Sequence, residues 1–149
     1  MLDRLAGNEA MKQHLQAALA GGKLAHSLLL CGEKGCGAGF AARCLAADYL
    51  YPQGGPAAEA VLAGQAPECL EVRGEGASGQ IRIERIRQVR EEVFHSALSA
   101  QGRVVLLYGA QNLNSASANA LLKVLEEPPE GVLFLLTASS PAAVLATIR

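Results

Sequence analysis

Residues 27–39 are Ser27-Leu28-Leu29-Leu30-Cys31-Gly32-Glu33-Lys34-Gly35-Cys36-Gly37-Ala38-Gly39, an apolar run followed by a cluster of glycines. The apolar run into Cys31 predicts a buried strand, and a helical pattern through Phe40, Cys44 and Leu45 follows the glycines. Between them lies the glycine framework of a phosphate-binding loop, G-x-x-x-x-G-K-[S/T]. In a working loop, backbone N–H groups cradle the phosphates, the Lys reaches the β- and γ-phosphates, and the Ser or Thr ligates Mg²⁺. Here Ala38 stands at the Lys position and Gly39 at the hydroxyl position. Neither supplies a positive charge or a metal ligand. Gly32, Gly35, Gly37, Ala38 and Gly39 therefore make a degenerate loop that is expected to be empty.

Two other readings of these glycines stand beside that one. Gly37-Ala38-Gly39-Phe40-Ala41-Ala42 fits a dinucleotide fingerprint by letter, but that motif also needs an acidic residue about 20 positions on, at the end of a second strand. Pro56-Ala57-Ala58-Glu59-Ala60, which occupies that place, reads as a turn and short helix. The plain alternative is a strand-to-helix turn that simply needs glycines.

Working outward, 149 residues suit one domain with a real core, and half of them are apolar. Ala, Leu and Val dominate and aromatics are few, as expected for parallel strands covered by Ala-rich helices on both faces. A net charge of −1 carries no overall signature of nucleic-acid binding. The N-terminus has charges and no long apolar run, so neither a signal peptide nor a membrane span is expected, and a cytoplasmic home follows. Cysteines stand at 31, 36, 44 and 69 with no C-x-x-C pair, which indicates no zinc or redox site. Cys36, just before a helix N-terminus, has the setting for a lowered pKa.

The remaining pattern alternates strands and helices. A helix starts near Asn8 and stops at Gly21-Gly22. After the helix to about Tyr51 come a short helix over Ala57 to Gln65, a strand at Cys69 to Val72 and a small-residue loop from Gly74 to Gly79. A long helix begins near Glu84, with Ile86, Val89, Val93 and Ala97 on one face and Arg85, Arg87, Arg90 and Glu91 on a solvated one. Arg103 to Leu107 is a buried strand. Ser115 is expected to cap a helix over Ala116 to Glu126, which Pro128-Pro129 ends. Val132 to Leu136 is a strand, and Ser140-Pro141 opens a further short helix. This order argues for a parallel sheet.

Phosphate-binding-loop ATPases also carry an acidic pair at the end of a later apolar strand. The strand ending at Leu107 is followed by Tyr108 and Gly109, where an Asp and then a Glu or Asp would be needed. Two positions that act together in hydrolysis have both lost their charge, which argues against ATP hydrolysis.

The segment Ala118-Asn119-Ala120-Leu121-Leu122-Lys123-Val124-Leu125-Glu126-Glu127-Pro128-Pro129 resembles the N-A-L-L-K-x-L-E-E-P-P box of the bacterial replicative clamp loaders, shared by their gamma/tau and delta-prime subunits. Leu24-Ala25-His26-Ser27-Leu28-Leu29 is similar to that family's lead into the loop. Leu135-Leu136-Thr137 with Pro141 and Ala146-Thr147-Ile148-Arg149 resembles the region from sensor 1 into T-[I/L]-R-S-R-C. The resemblance implies an α/β fold of the P-loop NTPase-like AAA+ type. That core has three α/β/α layers and a parallel five-stranded sheet of order 5-1-4-3-2. The degenerate positions 38, 39, 108 and 109 favour the delta-prime group, whose loop is typically degenerate.

That resemblance implies a non-hydrolysing stator of the DNA polymerase III holoenzyme, with no cofactor and no activity of its own. Its partners would be gamma/tau ATPase subunits and the delta subunit, with the sliding clamp and primed DNA reached through the complex. The alternative is a divergent gamma/tau-like ATPase that still binds nucleotide. Residues 1–149 would form the AAA+ domain, ending before the S-R-C arginine finger and lacking the lid and collar. Arg149 matches the first Arg of T-I-R, not the finger. Pro52 to Glu68 holds no Cys or His where the family usually inserts a zinc module, so no metal is expected. Thr137 takes the sensor place, with strand-end capping as the plain alternative, and His26 reads as a packed or capping residue. Asn119, Lys123, Glu126, Glu127 and Arg149 are the candidates for interface or DNA contact, with simple solvation equally open for Lys123.

Overall fold

In a computed structural model, the structure describes residues 13, 15–18, 27–31, 38–66, 68–74, 79–95, 102–127 and 131–138. Four strands, β1 (Ser27–Cys31), β2 (Cys69–Val72), β3 (Arg103–Leu107) and β4 (Val132–Ala138), form one sheet of order β1-β4-β3-β2. Every pairing is parallel: Leu29 sits opposite Leu136, Val105 opposite Phe134, and Glu71 opposite Leu106. These four strands follow the 1-4-3-2 part of the expected five-strand order. Among the described residues there is no fifth strand, and the positions expected for the helix at Ser140-Pro141 and the helix start at Asn8, with His26, Cys36 and Pro128-Pro129, lie outside the described residues.

The strand sequences explain their place. β4 reads Val132-Leu133-Phe134-Leu135-Leu136-Thr137-Ala138 and every residue is buried. A continuous apolar run is what a parallel strand covered on both faces requires. Side chains alternate between two cores. Val105, Leu107, Phe134 and Leu136 join Ile86, Val89, Leu121 and Val124 on one side. Val104, Leu106, Leu133 and Leu135 join Leu45, Ala46, Leu50 and Val61 on the other.

Helices α1 (Ala38–Leu50) and α2 (Pro56–Leu62) therefore cover one face, and α3 (Ile83–His95) and α4 (Ser115–Glu126) the other. Ala42, Cys44, Leu45, Ala46 and Ala47 of α1 are all fully buried. Small Ala side chains let the sheet and α2 approach this helix from different sides, which is why it is apolar nearly all round. In contrast, α3 buries only one stripe, Ile86, Val89 and Val93, and carries Arg87 and Arg90 outside.

α4 starts one residue earlier than its sequence suggests. Asn114, in extended backbone, is the N-cap and its Oδ1 accepts from the Ser117 N–H at 2.8 Å. Ser115, expected as the cap, is already the first helical residue; Asn is at least as good a cap acceptor as Ser. The fully buried Ser117 then donates its hydroxyl to the Ile81 carbonyl at 2.7 Å, tying the start of α4 to the chain just before α3. A 3-10 turn, Ala110–Asn112, follows β3 and was not expected from the pattern.

Candidate functional site

Because all the strands are parallel, their C-terminal ends gather at one edge of the sheet, the usual place for a ligand in an open α/β fold. Cys31, Val72, Leu107 and Ala138 end the strands there. Gly32, Gly35 and Gly37 of the degenerate loop lie outside the described residues, as does Arg149. Ala38 and Gly39 form the first residues of α1.

Tyr108 leaves β3 at this edge, its backbone N–H bonded to the Val72 carbonyl at 2.9 Å. Its ring lies against the start of α1: a Cβ built on Gly39 would stand 3.3 Å from Tyr108 Cε1. The residues at the hydroxyl position of the loop and at the acidic position after β3 are thus neighbours in space. In a phosphate-binding-loop enzyme those two positions hold one Mg²⁺ between them. Here a phenol ring stands where a carboxylate would reach for the ion.

The ring is held by charged neighbours. Tyr108 Oη donates to Glu71 Oε1 at 2.7 Å and accepts from Arg43 Nε at 3.0 Å. Arg43 also pairs with Glu71 directly, Nε to Oε1 at 2.9 Å and Nη2 to Oε2 at 3.3 Å, and donates Nη1 to the Leu62 carbonyl at 3.2 Å. The Arg73 guanidinium stacks over the Tyr108 ring, 4.1 Å from its centroid. Arg43 lies one helical turn after Gly39, on the same face of α1. The cluster therefore joins α1, the end of α2, β2 and the residue after β3.

These contacts set the ionisation of the group. Burial raises the Glu71 pKa, but the hydrogen bonds from Tyr108 and Arg43 and the charges of Arg43 and Arg73 outweigh it, and the carboxyl is held below its ordinary value. Burial, then the hydrogen bond to Glu71, pushes the Tyr108 phenol up to about 12. Burial, reinforced by Glu71, also pushes the free thiol of Cys69 up to about 12, so it stays protonated and unreactive at neutral pH.

A magnesium nucleotide does not fit this set of side chains. Position 39 lacks a hydroxyl, position 38 an ammonium, and positions 108 and 109 a carboxylate. Glu71, the carboxylate beside Tyr108, is already neutralised by Arg43. Gly109 has φ +80°, a left-handed conformation that a Glu at the second acidic position adopts only with strain. Thr137, expected at the sensor place, is buried; its carbonyl and its Oγ1 both accept from the Gly109 N–H, at 3.0 and 3.1 Å. The residue ties the ends of β3 and β4 together.

A second feature lies on the opposite face of the sheet. Ile83, Ile86, Arg87, Arg90, Ala116, Asn119, Ala120 and Lys123 line a cleft of about 280 Å³ between α3 and α4. Asn119 and Lys123 thus share a surface with Arg87 and Arg90 of the solvated face of α3. Helical spacing marked each pair, but only the packing of α3 against α4 brings the pairs together. Glu126 and Glu127 are exposed at the far end of α4, away from this lining. Among the described residues, no group of three His, Cys, Asp or Glu side chains could hold a metal, and no helix is long and apolar enough to cross a membrane.

The geometry is that of an α/β fold with a parallel sheet of order β1-β4-β3-β2, and the comparisons with known proteins name its relatives. The family described as "DNA polymerase III, delta subunit" matches residues 7–149. The gamma/tau subunit of DNA polymerase III from Mycobacterium bovis is 33% identical over 97% of this chain and 26% of its own length. The delta' subunit from Pseudomonas aeruginosa is 34% identical over 84% of this chain and 40% of its own. A crystal structure of a gamma subunit-related protein from Thermotoga maritima superposes with a TM-score of 0.63 at 23% identity, over 90% of this chain and 42% of that one. The chain spans less than half the length of these relatives. It belongs to the delta-prime and gamma/tau clamp-loader family of DNA polymerase III, and corresponds to that family's N-terminal AAA+ region.

Proposed function

We propose that this chain is the AAA+ domain of a delta-prime-type stator, a clamp-loader subunit that does not hydrolyse ATP. Such a subunit assists an adjacent gamma/tau ATPase, with the delta subunit, in placing the sliding clamp on primed DNA in the cytoplasm. The observation that carries the reading is Tyr108, an uncharged ring at the acidic position, lying against Gly39 at the hydroxyl position. Hydrolysis needs a metal between those positions and a carboxylate to hold it. Without them the subunit acts through its faces, and the arginine region beginning at Arg149 is proposed to face the neighbour's ATP.

The test is calorimetric titration of the chain with Mg-ATP, followed by reconstitution of the full-length protein with a gamma/tau-type ATPase. The expected outcome is no saturable binding to the chain, and ATP hydrolysis by the complex but not by this subunit alone. Saturable binding at micromolar Mg-ATP would instead favour the divergent gamma/tau-like ATPase.

The cleft between α3 and α4 supports a contact with DNA within the assembly. Arg87, Arg90 and Lys123 set three cations around one groove, with Asn119 as a neutral donor, a composition suited to a phosphate backbone rather than to base edges. Replacing Lys123 with Ala in the reconstituted complex is expected to weaken binding to primed DNA evenly across sequences and to lower the salt slope by about one. An unchanged slope would leave Lys123 as a solvated helix residue.

A further inference from the structure

We propose that Tyr108 is a positioned plug: its ring occupies the metal side of the degenerate nucleotide site and bars Mg-nucleotide independently of the residues missing from the loop. This deepens the reading of the chain as a subunit without nucleotide chemistry, and rests on it.

The argument is steric and then energetic. Any side chain at position 39 begins with a Cβ 3.3 Å from Tyr108 Cε1. That is tighter than ordinary carbon–carbon contact, so restoring the hydroxyl requires the ring to give by a few tenths of an ångström. The ring is poorly able to do so. Its hydroxyl is fixed by Glu71 at 2.7 Å and Arg43 at 3.0 Å, and Arg73 covers its face at 4.1 Å from the centroid. Swinging the ring outward breaks two hydrogen bonds to charged groups, the stronger kind in proteins. It also leaves the Arg43–Glu71 pair without the hydroxyl that bridges it. Gly39 and Tyr108 are therefore matched: the glycine is the residue that leaves room for the ring, and the ring fills the space the glycine leaves.

This reading differs from simple loss of the loop's Lys and hydroxyl, and the difference is measurable. If loss alone disables the site, A38K/G39T restores Mg-ATP binding with Tyr108 in place. If Tyr108 is a plug, that double variant binds no better than the unaltered chain. Adding Tyr108→Ala then tightens binding by at least about tenfold. Equal binding by the double and triple variants overturns the proposal, and so does a triple variant that folds and binds nothing. Micromolar binding by the unaltered chain would sink the stator reading itself, which is a distinct result. A measurement on the unaltered chain covers the case in which the triple variant does not fold. A nuclear Overhauser contact between the Tyr108 ring ε protons and the Gly39 α protons is expected, and its absence overturns the proposal without any substitution.

Discussion

The Tyr108 hydroxyl stands 2.7 Å from Glu71 Oε1, joining the residue after β3 to the middle of the edge strand β2. The bond makes the residue that follows β3 part of the structural frame. Arg43 completes it from α1. A cluster that spans three chain segments distant in sequence should contribute to stability, and its parts can be removed one at a time.

Tyr108→Phe keeps the ring and deletes the hydroxyl. Both of its partners are charged and half-buried, and they still pair with each other. The expected loss is about 1–2 kcal/mol, read as a lower urea midpoint at unchanged slope. A midpoint equal to that of the unaltered chain would mean the hydroxyl is well solvated.

The same cluster predicts both limbs of the pH profile. The Tyr108 pKa is raised in the folded chain, from 10.0 to about 12, so its contribution is complete below pH 10 and is lost as pH rises towards 12. Glu71 is shifted the other way, below its ordinary 4.5. Its contribution is present above that value and is lost as pH falls through the lowered one. Tyr49, through burial, and Tyr51, through its hydrogen bond to Glu68, are raised as well. The readout is therefore the difference between variants: Tyr108→Phe is expected to have a shallower alkaline limb, and Glu71→Gln a shallower acid limb, in thermal melts across pH.

Gly109→Glu rebuilds the second acidic position by letter but not by backbone. Gly109 has φ +80° and its added Cβ would stand 2.8 Å from Asn112 Nδ2. A left-handed backbone costs a non-glycine residue roughly 1–2 kcal/mol. The variant is expected to unfold at lower urea and to gain no ATP hydrolysis, as checked by denaturation and phosphate release. Retained stability would show that the turn Ala110–Asn112 relaxes to accept the residue.

At the start of α4, two substitutions should differ in size. Asn114→Ala removes a cap and is expected to cost about 1 kcal/mol. Ser117→Ala is expected to cost more, about 1–3 kcal/mol, because it removes a fully buried hydroxyl's bond to the Ile81 carbonyl. Urea denaturation of the pair ranks them, and the reverse order would show that the carbonyl finds another donor.

Local chemistry made much of this chain readable from its letters. The run Val132 to Leu136 and the run Arg103 to Leu107 are too short and too apolar for exposed helices, and burial on both faces makes such runs parallel strands. The degenerate positions 38, 39, 108 and 109 were equally plain, since the absence of a charge needs no geometry to recognise. The helix start was misplaced by one residue because Asn114 and Ser115 are both good caps, and only the backbone angles separate them.

The alternation of strands and helices, the apolar faces, and the lack of a Lys at 38, a hydroxyl at 39 and a carboxylate at 108 and 109 are all legible in the chain's letters. Those properties depend on neighbours in the chain. The partners of Tyr108 follow from the folded arrangement. Arg43, Glu71 and Tyr108 are separated by 28 and 37 residues along the chain, and no local pattern pairs them. The parallel sheet carries β2 and β3 to the same edge and lays α1 across it, and at that edge one half-buried carboxylate selects a guanidinium and a phenol as its partners. The ring beside Gly39 and the cations shared by α3 and α4 are consequences of packing, because charges and rings choose their partners by distance in space.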